Sequence, residues 1–285
     1  MKYIFGNQIL DEVKKRYQQM LHINESWKIA IIRFAPSEQT DHTKYLAAEI
    51  SAREKTKSFK EIGFQVDNHL LPHNMPRSQF TDLLLKLNDD AQTIAVIVQF
   101  PVSPHLKSEL SILSEKINID VLGNEHDTFQ VCATSEAVFR LLTPFLNKNH
   151  NIAIVGCHGF VGRDVGKLLK REKIDFIGLD IGDDLMRVHD AKIVVSATGN
   201  PELLDRRHLK NHHQLVVDVG FSPVFHQKDK KYYMVGDVKK NSYEQVHRIT
   251  PVPGGVGPLE IAVLIERLRM LISNENFTKW RYIEH

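Results

Sequence analysis

The sequence predicts an α/β protein of two domains: a Rossmann-like nucleotide-binding domain and a smaller α/β domain. Three observations predict it. Short apolar runs alternate with longer amphipathic stretches, the pattern of parallel strands joined by crossover helices. One of those runs feeds a glycine-spaced turn that opens a helix. A Pro/Gly strip, Thr250-Pro251-Val252-Pro253-Gly254-Gly255-Val256-Gly257-Pro258, precedes a final apolar helix.

Strands are expected at Lys28–Phe34, Gln65–Leu71, Thr93–Gln99, Asn151–Val155, Asp175–Leu179, Lys192–Ala197 and Gln214–Val219. Helices are expected at Tyr45–Ile62, Pro76–Asn88, Ser135–Leu146, Gly162–Glu172 and Leu259–Leu271, the last on the spacing of Leu264, Leu268 and Leu271. The polar stretch Asn147-Lys148-Asn149-His150 separates a helix from the strand–turn–helix signal, which places the domain boundary there. Residues 1–149 then form the first domain and residues 150–258 the Rossmann-like one.

At 285 residues the chain is long enough to bury two cores. A net charge of +2, without a long block of one sign, gives no case for nucleic acid or an anionic membrane surface. No apolar run approaches the length of about 18 residues that spans a bilayer. Two cysteines, Cys132 and Cys157, and an N-terminus that turns quickly to charged residues point to a cytoplasmic protein without a disulfide framework.

In the second domain, Asn151–Val155 runs into Gly156-Cys157-His158-Gly159-Phe160-Val161-Gly162. Glycines at this spacing let backbone approach a diphosphate, and the helix that follows offers free N–H groups and its dipole. The competing explanation is a glycine-rich turn needed only for tight packing. Further blocks follow at a spacing that fits one sheet: Ser196-Ala197-Thr198-Gly199, Asp218-Val219-Gly220 and Gly236-Asp237-Val238. Ligands of open parallel sheets sit at the carboxyl ends of strands, so Thr198, Gly199, Gly220 and Asp237 are candidate rim residues, with structural roles for Asp218 and Asp237 equally open. Asp180 closes the second strand of this unit, where a carboxylate accepts from a free ribose and repels a 2′-phosphate, so NAD(P) is the expected cofactor and the residues lean towards NAD. Arg163 and Arg187 are the cations that could reverse that preference.

Three glycines and three prolines in the nine residues from Thr250 specify a rigid, shaped wall. TPVPGGVGP followed by an apolar helix resembles the signature of the bifunctional methylenetetrahydrofolate dehydrogenase/cyclohydrolase family of the FolD type. The glycine turn, Val98-Gln99-Phe100-Pro101, Asp218-Val219-Gly220 and Gly236-Asp237-Val238 resemble its other blocks, over nearly the whole chain. The resemblance implies that residues 1–149 are a smaller α/β catalytic domain completed by the C-terminal helix, 259–285, with a ligand cleft between the domains, a reduced-folate substrate and a homodimer.

Counting back from Glu61-Ile62-Gly63-Phe64 puts Lys55 at the family's catalytic lysine, with Gln99 as its orienting partner. The family's tyrosine position falls on Ser51, on the same helical face at i, i+4. Tyr45 lies in a segment, Pro36–Glu49, that is longer than in the family. Asp120-Val121-Leu122-Gly123 resembles a block whose second aspartate binds the pterin, which makes Asp120 and Leu122 substrate-site residues together with Pro253, Gly254 and Gly255. Leu122 has no acceptor to offer. Cys157-His158 stands where the family carries Arg-Ser, and Glu260 where it carries threonine. The cofactor set implied is Gly156, Cys157, His158, Gly159, Gly162, Asp180, Thr198, Gly199 and Gly220, with no metal. His208 and His212, lacking a thiolate or carboxylate partner at ligand spacing, are expected on a solvated helix surface. Three functions fit: a folate dehydrogenase with or without cyclohydrolase activity, an oxidoreductase of another substrate on this fold, or a non-catalytic nucleotide-binding paralogue.

Overall fold

Runs rich in Val and Ile that are buried on both faces pair as parallel strands, with helices over them to cover those faces. The computed structural model describes residues 2–20, 24–38, 40, 42–121, 127–146, 151–273 and 280. In chain order the elements are β1 (Lys2–Tyr3), α1 (Gly6–Met20), β2 (Lys28–Phe34), α2 (His42–Glu61), β3 (Gln65–Leu71), α3 (Arg77–Asp89), β4 (Thr93–Val98) and α4 (Ala133–Leu142). They continue with β5 (Ile152–Val155), α5 (Phe160–Arg171), β6 (Phe176–Leu179), β7 (Ile193–Ser196), β8 (Leu215–Asp218), β9 (Ser222–His226), β10 (Lys231–Val235), β11 (Arg248–Ile249) and α6 (Val256–Ser273).

The chain forms two compact units. One comprises Asp11–Ala133 and Ile261–Thr278; the other comprises Met1–Leu10, Thr134–Glu260 and Lys279–His285. In the first, β2 is the central strand of a parallel sheet ordered β3-β2-β4, in register from Lys28↔Gln65 to Phe34↔Leu71. Ala30, Ile32 and Phe34 face a core with Phe80 and Leu84 of α3 and with Leu106 and Leu110 of a 3-10 segment, Pro104–Ile112. Helix α2 packs on β2 and β3. The other unit holds a parallel sheet ordered β1-β11-β8-β7-β5-β6 and a separate antiparallel hairpin of β9 and β10.

The division expected at Asn149 differs from the one formed. Strand β1 pairs with β11, Lys2 opposite Arg248, which carries the first ten residues into the nucleotide-binding unit. Ser135 Oγ of α4 donates to Val161 O of α5 at 3.4 Å, so α4 belongs there too. The final helix begins at Val256 rather than Leu259, and Ile261 onwards belongs with the three-stranded sheet. No helix among the described residues is long and apolar enough to cross a membrane.

Candidate active site and nucleotide-binding turn

Helix α2 buries Ala48, Ala52, Lys55 and Phe59, a 4-3-4 spacing that sets one lysine in an otherwise apolar stripe. Lys55 is 1% exposed, and is therefore not a solvated surface lysine. Burying an ammonium is costly unless it is hydrogen-bonded. Its Nζ donates to Ser51 Oγ one turn back at 2.8 Å and to Gln99 Oε1 at 3.3 Å. Gln99 follows β4 and is itself anchored, because its N–H donates to Ile32 O at 2.8 Å. Ser51, Lys55 and Gln99 therefore come together, and both of these acceptors are neutral, which leaves the amine as the proton-carrying group of the trio.

Tyr45 does not take the place of an aromatic ring beside Lys55. Ten residues earlier on the same helix, it lies about 15 Å away along the axis. Its Oη sits 2.9 Å from His73 Nδ1, and Ser103 Oγ donates to His73 O at 2.6 Å. Tyr45 and His73 line an open pocket of about 340 Å³ with Lys44, Lys107, Pro101 and Pro104. No sequence pattern marks it, since its walls come from three separate segments. Asp120 is buried and its Oδ1 accepts from Ala133 N at 3.0 Å, a bond that ties its loop to the first residue of α4. Val121 beside it holds φ at 54°, a left-handed conformation that β-branched residues rarely adopt. Leu122 lies outside the described residues. Arg267 of α6 is fully buried and donates to Ile119 O at 2.8 Å and Val131 O at 2.6 Å, a bracket that sequence reasoning missed.

In the other unit, Gly156 ends β5 with φ at 83°, and its N–H donates to Leu179 O at 2.8 Å. A Cβ on Gly162 would stand 2.2 Å from Gly156 O, so the turn closes only with glycine there. Gly159 caps α5 without a side-chain hydrogen bond, and no acidic residue occupies the first helical turn. The helix N-terminus therefore presents backbone donors with no internal anion to satisfy them, which fits a diphosphate.

Asp180 Oδ2 accepts from His158 N at 2.8 Å and Oδ1 from Ile181 N at 2.8 Å. Those backbone donors, His158 first, hold its carboxyl below the usual range. Burial, followed by the charge of Asp180, pushes the Cys157 thiol up. Arg163 Nε donates to Asp164 Oδ1 at 3.3 Å, so that cation already has an acidic partner.

Thr198 N donates to Asp237 Oδ2 at 2.7 Å, and Gly199 takes φ at 64° with open space beside it. Gly220 has a packing role as well, because a Cβ there would stand 2.2 Å from Asp237 Oδ1. Gly156, Asp180, Thr198, Gly199 and Gly220 all follow strands that are neighbours in the order β8-β7-β5-β6, at their carboxyl ends. Val252–Pro253 is a cis peptide, Gly254 has φ at 105°, and Gly254 O accepts from Gly6 N at 2.8 Å. Pro253, Gly254 and Gly255 thus belong to the nucleotide-binding unit, while Ser51, Lys55, Gln99 and Asp120 belong to the other.

His208 departs from expectation. It lies in a turn rather than a helix, is buried, and its Nδ1 accepts from Asp205 N at 3.1 Å.

Residues 4–121 match the tetrahydrofolate dehydrogenase/cyclohydrolase catalytic domain, and residues 132–276 match the NAD(P)-binding domain of the same family. The chain belongs to the tetrahydrofolate dehydrogenase/cyclohydrolase family. A bifunctional FolD 1 protein of Lactobacillus johnsonii is 30% identical over 238 residues, covering 78% of this chain and 82% of the relative. A bifunctional FolD protein of Mycoplasmopsis synoviae is 27% identical over 288 residues, covering 94% and 98%. Among solved structures, Trypanosoma brucei FolD complexed with NADP and an inhibitor superposes with a TM-score of 0.80 at 24% identity, covering 96% of this chain and 98% of the other, a likeness of fold. Membership in the dehydrogenase/cyclohydrolase family favours the folate reading over the two alternatives.

Proposed function

We propose that the chain oxidises 5,10-methylenetetrahydrofolate with a nicotinamide cofactor and hydrolyses the methenyl product. The observation that carries this reading is the buried Lys55 amine, held between Ser51 Oγ and Gln99 Oε1 in the matched catalytic domain.

Oxidation breaks a C–H bond of the bridging methylene, whose electron pair leaves as hydride and whose carbon becomes the methenyl cation. Bound at the glycine turn, NAD(P) supplies the hydride acceptor. Gly156, Gly159 and Gly162, with the α5 N-terminus, would hold its diphosphate, and Asp180 the diol of its adenosine ribose. Thr198, Gly199 and Gly220 would form the rim.

Hydrolysis then adds water to the methenyl carbon; both protons of that water leave as the formyl C=O forms, one passing to the ring nitrogen as its bond to carbon breaks and the other to solvent. Lys55 is the residue placed to move the first of these, with Gln99 fixing its position and Ser51 supplying a hydroxyl that relays. Ser51 offers no ring for the substrate to stack on, and Leu122 no acceptor for the pterin. Each lost contact weakens substrate binding, by about 1–3 kcal/mol for the hydrogen bond. The absence of a cation at Cys157-His158 and the presence of Asp180 favour NAD over NADP.

The active form is read as a cytoplasmic homodimer, supported by two cysteines outside any disulfide and by the exposed hairpin of β9 and β10.

The test is turnover of methylenetetrahydrofolate with each nicotinamide, together with methenyl hydrolysis, in the parent and in Lys55→Met. Hydrolysis is expected to fall roughly 10²–10⁴-fold with NAD affinity unchanged. Undiminished hydrolysis in Lys55→Met would sink the assignment.

A further inference from the structure

The glycine turn gathers three atoms that bind metal ions. Cys157 Sγ, a ring nitrogen of His158 and a carboxylate oxygen of Asp180 all lie within 4.8 Å of one another. The backbone fixes them there. Gly156 N and Cys157 N both donate to Leu179 O, at 2.8 and 3.2 Å, and His158 N donates to Asp180 Oδ2. These bonds lace the end of β5 to the end of β6, whose register sets Val155 opposite Leu179. Gly178 makes room for the thiol, since a Cβ there would stand 3.1 Å from Cys157 Sγ.

His158 Nδ1 stands 3.4 Å from Asp180 Oδ2. That is longer than the N–H···O range of about 2.7–3.2 Å. It matches the edge of a tetrahedron around an ion with bonds of about 2.1 Å, which separates two ligands by about 3.4 Å. Asp183 Oδ2 accepts from Asp180 N at 2.7 Å, and both carboxylates act on the thiol. Among the described residues, no lysine or arginine forms an ion pair with either one.

We propose that Cys157, His158 and Asp180 form a three-ligand site for a thiophilic divalent cation of the zinc type, with its remaining position open to water. A thiolate and an imidazole select such an ion over magnesium or calcium, which take oxygen ligands. Binding releases the thiol proton to solvent and forms the metal–sulfur bond. The ion occupies the carboxylate that would accept from a ribose diol, so metal and NAD exclude each other; this last step rests on the nucleotide reading above.

The full chain, stripped with a chelator, is titrated with Co2+ as a spectroscopic probe. One equivalent is expected to give a thiolate-to-cobalt charge-transfer band that Zn2+ abolishes by displacement. Cys157→Ser should lose the band, and His158→Ala, at an exposed position, should weaken binding by roughly tenfold or more. Cys132→Ser should keep it. Zn2+ binding in Cys157→Ser equal to that of the parent, or a band lost only in Cys132→Ser, overturns the site. In a second arm, saturating Zn2+ should weaken NAD binding to the parent by roughly tenfold or more and leave Cys157→Ser unaffected. Simultaneous binding of Zn2+ and NAD overturns the exclusion. A chain that binds no NAD in either state removes the nucleotide reading, while the cobalt band still decides the metal site.

Discussion

Asp218 and Asp237 are two carboxylates buried side by side at the ends of β8 and the segment after β10, and their partners are unequal. Asp218 accepts from three backbone N–H groups, Gly220 and Asp237 on Oδ1 and Val238 on Oδ2. Asp237 Oδ2 accepts from Ser196 Oγ and Thr198 N, while its Oδ1 has no hydrogen-bond partner. Burial first, then the charge of Asp237, pushes Asp218 up to about 7 despite those donors. A carboxyl raised in the folded state from an unfolded value of 3.8 binds a proton that the unfolded chain has released. This pair's contribution to stability therefore falls as pH rises from about 4 to about 7, and is level above that. Asp237→Asn removes the neighbouring charge and keeps an oxygen for Ser196 and Thr198. Thermal midpoints at pH 5 and pH 8 should differ less in Asp237→Asn than in the parent, and an unchanged difference would refute the coupling. Both aspartates were legible as candidates, because D-V-G and G-D-V end apolar runs. Their mutual contact was not, since nothing in the sequence pairs residues 19 apart across a hairpin. Lys55 and Gln99 were reached through the family resemblance, by counting back from Glu61-Ile62-Gly63-Phe64 and by the block Val98-Gln99-Phe100-Pro101, rather than from any pattern of their own.

Elements show the same division between pattern and contact. Strands β2 and β3 occupy the residues their apolar patterns predict, Lys28–Phe34 and Gln65–Leu71, because both run long enough to pair over seven residues. Helix α1 escaped notice although Ile9, Leu10, Val13 and Tyr17 bury one face, because its charged residues drew attention to composition rather than period. The glycine turn is where an element-level change can be predicted with a distance. Gly162→Ala drives a Cβ to 2.2 Å from Gly156 O, a backbone atom that cannot step aside, so the turn must open. A cost of about 1–3 kcal/mol and a loss of NAD affinity are expected, checked by thermal unfolding and a binding titration. Gly257→Ala in α6 meets nothing within 4 Å and should be stable to within about 1 kcal/mol of the parent, or gain up to that amount. Arg267→Met in the same helix removes the donors to Ile119 O and Val131 O and the guanidinium 4.7 Å over the Phe129 ring. Leaving those carbonyls unpaired should cost about 2–4 kcal/mol by chemical denaturation, and a loss under about 0.5 kcal/mol would show that the bracket is not what holds them.

At the scale of the whole molecule, two units are expected from chain length and the polar stretch at 147–150, but the membership of the chain ends is not legible there. Two residues of β1 decide where the N-terminus goes, and a strand that short carries no pattern. The antiparallel hairpin was likewise missed, because Ser222–His226 and Lys231–Val235 lack the apolar alternation of a covered sheet. Instead, Val224, Phe225, Tyr232 and Tyr233 are each 40–49% exposed, and the rings of Phe225 and Tyr232 pack at 5.1 Å as cross-strand partners. A two-stranded ribbon is marginal in water by itself, and its outer edges offer unpaired backbone groups. A second copy of the chain is the partner that the homodimer reading supplies for this surface. Phe225→Glu with Tyr232→Glu places carboxylates where that contact would form and disturbs no buried core. The parent should sediment as a dimer and the double variant as a monomer with unchanged circular dichroism. A variant that still sediments as a dimer would move the interface elsewhere, and a monomeric parent would remove it altogether.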